Sequence, residues 1–121
     1  MAPIPAVQDY GLMGDYKSIH LEIVNDAIIA VGQIEKNINT EITKEPPDFQ
    51  RMLYDEIESI RLRQGEHLRL PSLTIITNDG KIEYKLMHNY YEILARLDSD
   101  TFNKYSELLT KMFADKAIIE K

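Results

Sequence analysis

The residue types best equipped for metal or proton chemistry are His20, His67 and His88, and their spacing serves neither. They stand 47 and 21 residues apart, no two at the i,i+4 spacing that puts a pair of imidazoles on one helix face, and none in a carboxylate cluster. They read as surface or half-buried imidazoles. The chain has no cysteine, which removes thiolate nucleophiles, disulfides and Cys-ligated metals together. No serine occupies a Gly-x-Ser-x-Gly elbow, and Gly11-Leu-Met-Gly14 lacks the third glycine and the preceding strand of a phosphate loop. Glu56 with Glu58 and Asp98 with Asp100 are carboxylate pairs of the sort that can do acid–base work. Simpler roles suit them: a solvated strand face for the first pair, helix caps for the second. Neither catalysis nor a cofactor nor a metal is expected.

Two other groupings have the chemistry of a docking surface. Arg61 and Arg63 project from one face of a strand, His67 and Arg69 lead into the next, and Lys81 and Lys85 fall one strand further over. Such a group can grip a phosphate, a lipid head group or an acidic partner, although Glu58, Glu66 and Glu83 are interleaved with it. Tyr90 and Tyr91 are adjacent, so on a helix they cannot both face a core, and an exposed tyrosine suits a protein interface.

The frame that must hold these residues is small. The chain has 121 residues, 44% of them hydrophobic and 28% charged, with a net charge of −6. That is ordinary globular usage for one domain. The acidic balance opposes direct nucleic-acid binding, which needs a basic footprint. Charge is uneven: residues 1–50 hold three Lys against eight Asp and Glu, whereas residues 51–87 hold six of each sign. No apolar run approaches a membrane span, and Met1–Gln8 lacks the basic start of a signal peptide. The expected setting is cytoplasmic.

Residues 1–15, with Pro3, Pro5, Gly11 and Gly14, show no period of 2 or 3.6 and predict an irregular N-terminal arm ahead of a domain over 16–121. Ile19, Leu21 and Ile23 alternate with polar residues, Asn25-Asp26 supplies a turn, and Ala27–Val31 returns, which predicts a hairpin. Gln33–Thr43 carries both helical and alternating spacing and leans to strand because it is β-branched. Glu45-Pro-Pro-Asp48 is a break. Ile57–Arg63, Leu68–Thr77 and Lys81–Met87, turned by Gln64-Gly-Glu66 and Asn78-Asp-Gly80, predict a three-strand meander. Asn89–Leu97 reads as a short helix. Asp98-Ser-Asp100 caps a second, whose Phe102, Tyr105, Leu109, Met112 and Phe113 share one face. Strands first and helix last imply an antiparallel α+β domain.

The run Leu53-Tyr-Asp-Glu-Ile-Glu-Ser-Ile60, then Arg61-Leu-Arg-Gln-Gly65, then Leu73-Thr-Ile-Ile-Thr-Asn-Asp-Gly80, resembles the bacterial pleckstrin-homology-like (PH-like) domains over Leu53–Met87. The resemblance implies a half-open antiparallel β-barrel of about six to seven strands closed by a C-terminal amphipathic helix. It departs from the family at the first hairpin, where Asn25-Asp26 stands without an arginine, and in the long polar connection over Gln33–Asp48. The acidic first hairpin gives no support to phosphoinositide recognition in the manner of eukaryotic PH domains.

A well-patterned core without a catalytic constellation points to a non-enzymatic binding or regulatory domain. Its expected partner is a protein or a second copy of the chain, met through an open sheet edge or the end of the barrel. Small regulators encoded by bacteria or mobile elements have this profile. The alternative is peripheral membrane or anionic small-ligand binding by the Arg61/Arg63/Arg69 patch.

Overall fold

The computed structural model describes residues 3–9, 16–38, 41–44, 48–66, 69–87 and 96–121. Within them the elements run β1 (Ile4–Asp9), β2 (Tyr16–Val24), β3 (Ala27–Ile38), β4 (Glu41–Lys44), β5 (Asp48–Leu53), β6 (Ile57–Arg63), β7 (Ser72–Thr77), β8 (Gly80–Lys85), α1 (Ser99–Phe113) and β9 (Ala117–Glu120). Short 3-10 turns at Tyr54–Glu56 and Ala114–Lys116 follow β5 and α1.

The strands form one sheet in the order β4-β3-β2-β1-β8-β7-β6-β9. β5 pairs with Ala27–Gly32 and β4 with Glu35–Ile38, so the two lie in line along the same edge of β3. Every pairing is antiparallel except that of β9 with β6. The α+β class with a C-terminal helix, the β2–β3 hairpin and the β6–β7–β8 meander all follow the expectation from sequence. Among the described residues the sheet is not closed into a barrel, however, and it has nine strands in place of the expected six or seven. Two of the additional strands arise where sequence patterning is weakest.

β1 is the first correction. Ile4–Asp9 is not an irregular arm but an interior strand joining the two halves of the sheet, laddered to β2 from Ile4↔Leu21 to Asp9↔Tyr16. Ile4 and Ala6 enter the main core, while Val7 is buried on the opposite face with Met87. Pro5 is tolerated because β1 meets β8 only at Val7↔Lys85, so no ladder on that side requires its missing N–H. β9 is the second. Its pairing with β6 is parallel and non-local, and a run of three apolar residues and a glutamate after a helix carries little period-2 signal.

The core holds Ile19, Leu21 and Ile23 of β2, Ile60 and Leu62 of β6, Leu73 and Ile75 of β7 and Tyr84 of β8. α1 presses Phe102, Leu109 and Phe113 against them. Asp98 caps α1 as predicted, accepting from the Thr101 N–H at 3.0 Å and from the Thr101 hydroxyl at 2.7 Å. Buried Gln64 ties three segments together: its N–H donates to the Glu120 carbonyl (2.9 Å), its Nε2 to the Leu97 carbonyl (3.0 Å), and its Oε1 accepts from Arg96 (3.0 Å). The proposed short helix at Asn89–Leu97 falls almost wholly outside the described residues.

Candidate functional site

The basic grouping read from sequence is only partly assembled. Arg61 and Arg63 do share a face of β6, but β9 lays Glu120 beside both. Arg63 Nε donates to Glu120 Oε2 at 3.4 Å, and Arg61 Nε lies 3.2 Å from Glu120 Oε1. The Arg61 contact is a charge approach without hydrogen-bond geometry, and that Nε is screened from solvent with no hydrogen-bond partner. One carboxylate thus divides its charge between two guanidinium groups. Arg69 is exposed at the next turn, where its backbone exchanges hydrogen bonds with Glu66. Lys81 stands exposed on β8, and Lys85 lies half-buried opposite Ser72 and Val7. His67, Tyr90 and Tyr91 lie outside the described residues.

The carboxylate pairs are likewise in structural use. Glu56 Oε1 accepts from the Leu53 N–H at 3.2 Å, closing the turn after β5, and Glu58 is exposed beside the bulge in β6. Among the described residues, no group of three or more His, Asp or Glu is placed to hold a metal ion. Burial is the main cause that lifts the Tyr84 phenol to about 12, with the Asp48 carboxylate adding to it.

A surface that the sequence did not single out lies at β5. Among the described residues β5 pairs only with β3, which leaves its other edge without a strand. Its side chains alternate: Met52 enters the core, whereas Phe49, Arg51 and Leu53 stand on the outer face. Phe49 is 73% exposed and Leu53 41% exposed, unusual for large apolar side chains on a paired strand. The register extends this face across the sheet, with Phe49 beside Val31 and His20, and Arg51 beside Ile29 and Glu22. Only Met52 of β5 is buried, and Asp48 and Gln50, which share its face, are exposed.

Local charge at this edge is balanced. Asp48 receives Lys17 Nζ at 2.6 Å, and Arg51 lies 3.7 Å from Asp26. Gly32 makes the first pair possible, since a Cβ there would meet both the Lys17 stem and Asp48 Oδ1. On its free side β5 borders a groove of about 270 Å³, where Gln50–Met52 face Glu56 and the Thr77–Ile82 hairpin. The signal that marks β5 is the alternation Phe49-x-Arg51-x-Leu53. It is short, and it follows directly on Pro46-Pro47, which reads as a break. No helix among the described residues is long and apolar enough to cross a membrane. No family model, curated protein sequence or solved structure matches the chain.

Proposed function

We propose that this chain is a non-enzymatic binding domain, built on a PH-like variant of an antiparallel fold, that docks a partner protein along the free edge of β5. The observation that carries the reading is Phe49, an exposed aromatic on a strand whose outer edge is unpaired and whose paired neighbour continues the apolar face through Val31 and Ile29. An extended segment of the partner would add main-chain hydrogen bonds at β5 and set apolar side chains against Phe49 and Leu53. An exposed strand edge bearing large apolar residues is a liability that proteins ordinarily cover. A docking role explains why it is left uncovered. The edge carries no excess of either charge, so the contact should persist at moderate salt.

The rival patch at Arg61 and Arg63 is less well placed for anion capture, because Glu120 already engages both guanidinium groups. The test compares tagged wild-type chain with Phe49→Asp and with the Arg61→Glu/Arg63→Glu pair in pull-downs at moderate salt. Backbone hydrogen exchange is then followed on the recovered complex. The expected result is a stoichiometric protein lost from Phe49→Asp, retained by the arginine variant, and protecting the β5 amides. Retention by Phe49→Asp with loss from the arginine variant would transfer the function to the basic patch. Phe49 is exposed, so its replacement should alter stability by no more than about 0.5 kcal/mol.

A further inference from the structure

We propose that the groove between the start of β1 and helix α1 binds a free medium-chain carboxylate. This site is separate from the β5 edge and does not depend on the docking role given to it. The groove has a volume of about 370 Å³, within the range of small-molecule sites. Its surface is mainly apolar, supplied by Pro3 and Ile4 on one side and by Tyr105 and Leu108 on the other. Ile4 is buried, and Tyr105 and Leu108 are half-buried.

The helix sets the polar groups at the margin. Lys104, Leu108 and Lys111 follow at spacings of four and three, so the two ammonium groups flank one apolar stripe. Seven residues separate them, which at the rise of an α-helix makes the stripe roughly 10 Å long. Glu107 lies between them in sequence, yet neither lysine makes an ion pair among the described residues. With Glu107 included, the groove keeps one net positive charge on a chain of net −6. Tyr105 lines the groove as a half-buried phenol, which at neutral pH is protonated and able to donate.

An apolar trough with unpaired ammonium groups at its margin complements an amphiphile with one anionic head. A free acid suits it better than a lipid held in a bilayer. The same helix exposes Asp100 and Glu107, and the acidic chain as a whole is repelled by an anionic membrane surface.

Calorimetric titration with decanoate below its micellar concentration, paired with NMR of the Ile4 and Leu108 methyl groups, tests the proposal. Saturable one-to-one binding is expected, with shifts centred on those methyls and a loss of about tenfold or more for decanol, which lacks the charge. Lys104→Gln/Lys111→Gln should weaken decanoate by a similar factor while keeping the wild-type melting temperature, and Phe49→Asp should leave it unchanged. Non-saturable uptake, equal affinity for decanol, or undiminished binding by the double lysine variant would overturn the proposal. So would binding to anionic phospholipid vesicles with none to monomeric decanoate.

Discussion

Lys116 Nζ donates to the backbone carbonyl of Tyr54 at 2.6 Å and lies 3.8 Å from the centroid of the same residue's ring. Tyr54 directly follows β5 and Lys116 directly precedes β9, so these two residues tie together the opposite edges of the sheet. Tyr54 also stacks on Phe113 of α1, with ring centroids 5.7 Å apart, and its N–H donates to the Asp26 carbonyl at 2.7 Å. The two ends of the sheet meet at this corner, and among the described residues no ladder joins them. That is how the fold stays open beside β5 without losing the far end of the sheet.

Removing this tie should be costly for a single lysine. Lys116→Ala deletes a charge-assisted hydrogen bond and a cation–π contact, together worth about 1–3 kcal/mol. Thermal unfolding should fall by several degrees. Lys116→Arg should recover part of the loss, whereas Tyr54→Leu should keep the bond to the main-chain carbonyl and lose the π face and the stack on Phe113. Equal melting temperatures for Lys116→Ala and wild type would show that the corner contributes nothing.

Glu120 should matter more for charge than for stability. Its contacts with Arg61 and Arg63 are partly exposed to solvent, so Glu120→Gln should cost no more than about 1 kcal/mol. It would, however, remove the carboxylate that the two guanidinium groups share. The variant should elute later than wild type from a heparin column, by more than a control such as Glu107→Gln that alters charge elsewhere. Identical retention of the two variants would mean that Glu120 does not mask the arginines.

How far the fold was legible depends on how local its signals are. The Asn78-Asp-Gly80 turn, the alternation in Ile57–Arg63 and the face of α1 are each set by neighbours in sequence, and each is seen as read. β1 and β9 owe their existence to partners far away in the chain. Pro3 and Pro5 conceal the first, and the parallel pairing with β6 gives the second no turn to announce it. The same reason hid the free edge of β5. Nothing in Asp48–Leu53 says that a strand will pair on one side only, because edge position is a property of the whole sheet order. The arginines at 61 and 63 were legible as a shared face, but their pairing with the one carboxylate of Glu120 required a strand that pattern alone does not declare.

Asp98 makes the acid limb of stability testable. The Thr101 hydroxyl, followed by the Thr101 N–H, holds its carboxyl below the usual carboxylate range. A depressed carboxylate contributes stability that is present above its unfolded value and is lost as pH falls through its folded one. Denaturant unfolding of wild type should therefore weaken below about pH 4. Asp98→Asn keeps an N-cap oxygen but has no charge to titrate, so the gap between it and wild type should close as the pH drops. A constant gap down to low pH would remove Asp98 from the acid response.

Tyr84 governs the opposite limb. Burial first, and the Asp48 carboxylate second, push its phenol up to about 12 from 10.0. Between those values the unfolded chain has released this proton and the folded chain still holds it, so the slope of stability with pH is negative. The contribution is complete below pH 10 and is lost as pH rises through the folded value. Lysines titrate over the same interval, so the informative quantity is the difference between wild type and Tyr84→Phe, which keeps the ring and removes the titration. The difference should be flat to pH 10 and then shift in favour of the phenylalanine variant as pH approaches 12. Parallel curves across that interval would mean that Tyr84 ionises as freely in the fold as outside it.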